Sequence, residues 1–296
     1  MAIQAKKAVR RKLHIKMALI GPSGAGKTFS ALRLCKGIGG KTVLCNTEAE
    51  RGYIYANEFD YDIIDLDAPF TPEKYIEVIQ YAVKEGYDNL IIDSASHEWT
   101  GKGGLIEIHD KMSGNSFTNW ATLTPRHNAF LDAQLYANVN IIACLRGKDE
   151  YVMEEKNGKQ TPKKVGLGAQ QRNGFEYECQ VTLMIDQSNH VASAMKDNSH
   201  IFEGQYEVLT EEHGELLRAW AETGEDKPAP PVTLISQKAL AALHAKAKDL
   251  NLTHEELSAW AQRDYGVTSL KELTDPQSRE FYKLLDKSKP AQTTVE

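Results

Sequence analysis

Gly21-Pro22-Ser23-Gly24-Ala25-Gly26-Lys27-Thr28 is a complete GxxxxGKT run, and its residue types are those that wrap a phosphate. Glycines let consecutive backbone N–H groups turn toward an anion, and a helix starting near Lys27 would aim its positive end at the same charge. Lys27 would reach the outer phosphates and Thr28 would give its hydroxyl to Mg²⁺, so ATP and Mg²⁺ are the expected ligands. A carboxylate fits the same chemistry. Asn89-Leu90-Ile91-Ile92-Asp93 ends an apolar run on Asp93, which would hold magnesium through its water shell. Ser94 follows, not glutamate, so a base acting on water has to come from elsewhere. Glu48, closing Leu44-Cys45-Asn46-Thr47-Glu48, leads, because the carboxyl ends of parallel strands line the ligand crevice. Glu50 and Glu98 are rivals that read more simply as surface charges.

Such groups must be carried by strands. Apolar runs bounded by turn residues at 15–20, 42–46, 61–66, 89–93 and 139–145 suit strands buried on both faces. Helical spacing covers 28–37, 72–85 after Thr71, and 119–137. This alternation predicts an α/β fold with a mostly parallel, doubly wound sheet. Beyond Leu145, Asn157-Gly158 signals a mobile hairpin between 150–154 and 160–165, and 180–186 with 190–196 reads as an antiparallel pair. A helix over 211–222 closes the core.

Pro228, Pro230 and Pro231 then mark an extended linker. After it, Leu234, Leu240, Leu243 and Ala247 repeat at helical spacing, Thr253 with Glu256 makes a capping box, and Asp275 opens a last helix. The expected organisation is a basic arm over 1–12, an ATPase core over 13–222, a linker over 223–232, a small C-terminal helical bundle over 233–288 and a tail over 289–296.

The formal charge of -6 excludes a protein that coats nucleic acid over its whole surface, leaving local patches. One is Lys6, Lys7, Arg10, Arg11 and Lys12, although such a run is more commonly a solvated tail. The four cysteines, widely spaced and outside any CxxC pattern, read as buried thiols in a reducing compartment. His97, His109 and His127 share no metal-ligand spacing. With no apolar run of about eighteen residues and no signal-peptide core, a cytoplasmic protein without a membrane partner is expected.

The phosphate loop, Asn46-Thr47-Glu48, Asp93-Ser94 and an apolar strand ending in Arg146 together resemble the core of RecA-type recombinases. The resemblance implies a RecA-like P-loop NTPase in which Glu48 activates water and Tyr55, seven residues later, stacks on adenine. Lys196 would reach across a filament interface to the neighbour's γ-phosphate, and Asn198 stands where bacterial recombinases carry a second basic residue. Arg146 would sense the γ-phosphate or act as a finger in a neighbour's site, the alternative being a structural ion pair.

More narrowly, Asp93-Ser94-Ala95-Ser96-His97-Glu98-Trp99, Arg146-Gly147-Lys148 and the segment Arg172 to Glu178 are similar to phage-encoded RecA-core ATPases associated with single-strand annealing, over roughly residues 13–222. This implies a single-stranded-DNA-dependent ATPase of phage recombination, working by annealing or strand exchange in the bacterial cytoplasm as a homo-oligomeric filament or ring. Its flexible DNA loops would be about Trp99–Trp120 and Gly147–Phe175. Lys148, Lys163, Lys164 and Arg172 would pair with phosphates there, and Phe117, Trp120 and Phe175 would offer stacking surfaces. The alternative is a nucleotide-gated loader or adaptor that recruits a single-strand-binding protein or a replication partner through the helical domain. A small-molecule kinase is disfavoured by the lack of a lid arginine cluster.

Overall fold

The computed structural model describes residues 5–156, 159–226 and 234–287, with the side chains of 149–167 and of Lys287 outside the described set. The chain divides into two compact units, Met1–Asp226 and Lys227–Glu296.

The first unit alternates strand and helix: β1 (Lys16–Gly21), α1 (Lys27–Ile38), β2 (Thr42–Asn46), β3 (Asp62–Asp65), α2 (Pro72–Lys84), β4 (Asn89–Asp93). Three helices follow, α3 (Ser96–Thr100), α4 (Leu105–Lys111) and α5 (Ser116–Tyr136). Then come β5 (Asn140–Lys156), β6 (Lys159–Ala169), β7 (Val181–Ile185), β8 (Val191–Asp197), β9 (Glu207–Val208) and α6 (Glu211–Ala221). The sheet runs β3-β2-β4-β5-β1-β7-β8-β9 and is parallel from β3 to β7, with β8 and β9 antiparallel and β6 paired to the outer half of β5.

Because both faces of this sheet are covered, its strands read as unbroken apolar runs. Met17, Leu19, Leu44, Ile91, Ile142 and Leu183 pack with Leu34 and Leu217 on one face. Ala18, Ile20, Val43, Leu90, Ile92 and Ala143 pack with Tyr75 and Phe130 on the other. The period-two alternation within each strand assigns its residues to the two layers. Helices α1 and α6 touch backbone to backbone at Gly37 and Gly214: a Cβ on Gly37 would lie 1.8 Å from the Glu211 carbonyl oxygen, and one on Gly214 would lie 2.2 Å from that of Leu34. Any side chain there would force the helices apart.

Strand register brings the chemistry to one edge. Gly21 lies opposite Arg146, Asn46 opposite Asp93, and Asp93 opposite Cys144, so the last residues of β1, β2 and β4 and the midpoint of β5 share one end of the sheet. β5 stands between the phosphate-loop strand and the Asp93 strand.

Three expectations are corrected. The strand expected to end near Arg146 continues to Lys156, because Gly147 to Lys156 find antiparallel partners in β6; the Asn157-Gly158 turn itself lies outside the described residues. The expected flexible loop after Asp93 is largely helical, occupied by α3, α4 and the start of α5. The inner part of the basic arm is not a free tail. Residues 10–13 pair with 221–226 through Leu13 N–H to the Ala221 carbonyl (3.0 Å), Lys12 N–H to Glu225 (2.9 Å) and Glu225 N–H to Arg10 (3.0 Å). The Arg10 guanidinium also lies 5.1 Å over the Trp220 ring, and Lys12 pairs with Asp226 at 2.8 Å. All four cysteines are buried, and burial pushes the Cys35 and Cys179 thiols up to about 12, which leaves them unreactive.

The second unit holds α7 (Gln237–Asp249), α8 (His254–Tyr265) and α9 (Asp275–Lys287). They enclose a core of their own, including Leu243, Leu257, Leu273, Phe281 and Leu285. Thr253 and Glu256 form the reciprocal capping box that starts α8. Among the described residues no helix is long and apolar enough to cross a membrane.

Candidate active site

β1 delivers Gly21 into a loop whose Gly24 and Gly26 adopt φ of +83° and +88°, a left-handed conformation that only glycine enters without strain. Gly21 is fixed by crowding instead, since a Cβ there would sit 2.8 Å from the Ile185 carbonyl. Ala25 is buried beneath the loop, while Ser23 and Gly24 are exposed at its tip and Pro22 is half-buried. The Lys27 ammonium donates to the carbonyls of Gly21 and Pro22, each at 2.9 Å, so it lies folded back on the loop. Two residues that no sequence motif flagged complete the loop's surroundings: Gln187 Nε2 donates to the Ser23 carbonyl at 2.8 Å, and His190 Nδ1 lies 3.1 Å from that of Ala25.

The Thr28 hydroxyl donates to Asp93 Oδ2. Asp93 is 8% exposed, and burial pushes its carboxyl above the usual aspartate range, with the Thr28 hydrogen bond opposing the shift. A hydroxyl and a carboxylate side by side at the mouth of a phosphate loop are hard oxygen donors of the kind Mg²⁺ selects, so these residues fit the ion.

Beside them lies Glu48, whose backbone N–H is tied to Asn46 Oδ1 at 3.0 Å. Its Oε1 accepts from Arg146 Nη2 at 2.6 Å and its Oε2 from Arg51 Nη1 at 3.1 Å. Burial pulls the Glu48 carboxyl upward, but the two guanidinium groups prevail and hold it below the usual glutamate value. Arg146 is itself oriented by its backbone N–H on Ser96 Oγ at 2.9 Å. His97 shares a hydrogen bond with Thr47 Oγ1 at 2.8 Å, and burial together with the Arg146 charge lowers its pKa, which keeps it neutral near pH 7.

Of the two rivals to Glu48, only Glu98 departs from the expected surface charge. Glu50 is exposed, whereas Glu98 is no surface charge: it is fully buried, 3.1 Å from His127 Nδ1 and accepting from Gln171 Nε2 at 3.1 Å. An apolar neighbourhood cannot hold a carboxylate without such partners. Tyr55 packs edge-on against Phe29 of α1, ring centroids 5.3 Å apart, and stays partly exposed. Lys196 pairs with Thr182, which stands opposite Ala18 in the middle of β1, three residues before Gly21, and its ammonium donates to the Tyr177 carbonyl at 2.5 Å. It does not reach the loop of its own chain.

Next to the site, Trp99 and Trp120 stack at 5.2 Å and His109 stacks on Trp120 at 4.4 Å. The two tryptophans, with Lys148, Gln171, Arg172 and Asn173, line a cleft of about 410 Å³. Among the described residues, Arg172 Nη1 is buried with no hydrogen-bond partner. Of the other aromatic candidates, Phe117 is exposed on the first turn of α5, but Phe175 is only 2% exposed and belongs to the core, so it offers no stacking face. Lys163 and Lys164 lie in β6, with side chains outside the described residues.

Comparison with known proteins places this geometry. The family described as "AAA domain" matches residues 13–226. Among solved structures, the chain is similar to the RadB recombinase, at 15% identity over 62% of this chain and 81% of that one, with a TM-score of 0.37. It is also similar to an ATPase from the type III secretion system of pathogenic bacteria, at 12% identity over 97% and 88% of the two chains, with a TM-score of 0.33. No curated protein matches the sequence. Since the family match spans well over half of the 296 residues, the chain belongs to the AAA-domain family, and its first unit joins a phosphate loop to a mostly parallel sheet.

Proposed function

We propose that this protein is a single-stranded-DNA-stimulated ATPase that works as a homo-oligomer in DNA recombination, by annealing or strand exchange. The observation that supports it most is the strand register, which gathers Gly21, Asp93 and Arg146 at one sheet edge beside Glu48.

In this reading, the loop N–H groups between Gly21 and Thr28 bind the ATP phosphates, and Lys27 leaves the Gly21 and Pro22 carbonyls for the outer phosphate oxygens. Thr28 and Asp93 would hold Mg²⁺, which would supply positive charge against the phosphates. Glu48, kept ionised by Arg146 and Arg51, orients the attacking water and accepts its proton. Arg146 is within reach of the same region and would turn from Glu48 toward the γ-phosphate as charge builds there. Tyr55 would flank the adenine.

The cleft of Trp99, Trp120, Lys148 and Arg172 suits single-stranded DNA, with rings for bases and cations for phosphates. Trp99 stands six residues after Asp93 and Lys148 two after Arg146, so a ligand there would bear on the ATP site. In this reading Lys196 would leave the Tyr177 carbonyl to serve a neighbour's site. A phage origin rests on the resemblance of residues 93–99, 146–148 and 172–178. The test is ATP hydrolysis with and without a single-stranded oligonucleotide, with Lys27→Ala as the inactive control.

A second reading makes the protein a nucleotide-gated adaptor. The separate core of the second unit favours it, because a module that folds around its own apolar residues is free to serve a partner such as a single-strand-binding protein.

A further inference from the structure

The turn between β7 and β8 touches the phosphate loop, yet nothing in the reaction as drawn uses it. It is rigid for local reasons. Asp186 Oδ1 accepts from the N–H groups of Ser188 (2.8 Å) and Asn189 (3.2 Å), and Asn189 Oδ1 accepts from Val191 N–H (3.0 Å). Asp186 and Val191 close the hairpin at 2.9 Å, and His190 is held at φ +59°. Sequence alone would read Asp186-Gln187-Ser188-Asn189-His190 as a solvated tight turn.

Two side chains of this turn act on two alternate peptides of the loop. Gln187 Nε2 donates to the Ser23 carbonyl and His190 to the Ala25 carbonyl, which requires the proton on Nδ1. In a trans peptide the carbonyl of one residue and the N–H of the next point in opposite directions. Drawing the Ser23 and Ala25 carbonyls toward the turn therefore aims the N–H groups of Gly24 and Gly26 away from it. The glycines leave both peptides free to rotate, so outside donors have something to fix. His190 also packs close to Gly26, where a Cβ would stand 3.5 Å from Nδ1.

We propose that Gln187 and His190 are positioning residues of the nucleotide site, holding the 23–24 and 25–26 peptides oriented so that their N–H groups meet the phosphates of a bound nucleoside di- or triphosphate. The inference rests on reading residues 21–28 as the nucleotide site. Its effect falls on binding and not on the chemical step, since neither side chain is placed at the reacting water.

The test is titration of the full-length protein with ADP and with a slowly hydrolysed ATP analogue, each with Mg²⁺, in His190→Gly, His190→Asn and Gln187→Ala, and in Gln187→Ala combined with His190→Gly. His190→Gly removes the donor while tolerating the positive φ; His190→Asn restores an amide donor near the Nδ1 position and also tolerates that φ. The double variant is expected to bind both nucleotides about tenfold more weakly, as the loss of two hydrogen bonds implies. Its turnover at saturating ATP should stay within about twofold of wild type, its melting temperature without nucleotide should be unchanged, and His190→Asn should bind like wild type. Wild-type affinity in the double variant, or equal losses in His190→Asn and His190→Gly, would overturn the proposal. Failure of the wild-type protein to bind either nucleotide would instead overturn the reading of the loop itself.

Discussion

Arg146 Nη2 lies 2.6 Å from Glu48 Oε1, and this ion pair reaches from the end of β2 to β5 over Asp93, the last residue of the intervening β4. In the proposed mechanism the base is thus held by the cation that would meet the γ-phosphate. Replacing Glu48 by Gln keeps the size of the side chain and removes the base. Hydrolysis should fall by about 100-fold or more, the range of general-base effects, while nucleotide affinity stays within about threefold. Steady-state turnover paired with a nucleotide titration checks both.

The same pair sets a pH dependence. Arg146 and Arg51 hold the Glu48 carboxyl below its ordinary value, so the base is ionised at neutral pH and the acid limb of kcat/KM lies below about pH 4.5. In Arg146→Ala the upward pull of burial is left opposed mainly by Arg51, and the acid limb of the residual activity should move to higher pH. A pH–rate profile that does not move in that variant would dissociate Glu48 from the rate.

Away from the site, Arg126 grips Glu73 through two hydrogen bonds of 2.7 and 2.8 Å, tying α5 to α2. The Arg126 hydrogen bonds lower the Glu73 pKa to about 2. A carboxyl with a depressed folded pKa stabilises the fold above its unfolded value and loses that contribution as pH falls through the folded one, so the window is about pH 4.5 to 2. The pair is half-exposed and contributes under about 1 kcal/mol. Arg126→Ala should lower the melting temperature by about 1–3 °C at pH 7 and leave it equal to wild type near pH 2, as thermal melts across that range would show.

Trp120 and Arg172 are predicted to matter for DNA and not for ATP alone. Stacking is worth about 1–3 kcal/mol per base, so Trp120→Ala should weaken single-stranded-DNA binding by about fivefold to 150-fold. Lys148→Glu with Arg172→Glu should abolish stimulation and reduce the salt dependence of binding while basal hydrolysis remains. Fluorescence anisotropy of a labelled oligonucleotide at two salt concentrations separates these effects.

Ending the chain after Asp226 keeps the Lys12 and Arg10 contacts to residues 220–226 and removes the helical unit. The truncated protein should melt cooperatively and retain DNA-stimulated turnover. Loss of a partner protein from pull-downs with turnover intact would assign the helical unit an adaptor role, whereas loss of the stimulation would place DNA contacts in it.

The phosphate loop, the strand ending on Asp93 and the capping box at Thr253 were legible in the sequence because each is a local pattern with a local cause. A glycine turn, an apolar run closed by one carboxylate, and a Thr/Glu pair three residues apart need no distant partner. The pairing of Glu48 with Arg146 and the burial of Glu98 between His127 and Gln171 depend on the order of strands in the sheet, which no neighbouring residue reveals. The helix over 119–137 was legible from its spacing, but the two short helices before it, α3 and α4, were hidden for another reason. Gly101, Gly103 and Gly104 look like loop residues, but Gly101 ends α3, Gly104 starts α4, and Gly103 lies where a Cβ would meet Pro69 at 2.2 Å. Gln187 and His190 carried no signal beyond a polar hairpin turn. Their meeting with Ser23 and Ala25 follows only from β7 lying beside β1.

The central claim is most directly tested by ATP hydrolysis of the purified wild-type protein with and without a single-stranded oligonucleotide, at low and moderate salt, beside Glu48→Gln. A DNA-stimulated rate that disappears in Glu48→Gln is the predicted result. Slow hydrolysis that DNA leaves unchanged at every salt concentration would contradict it.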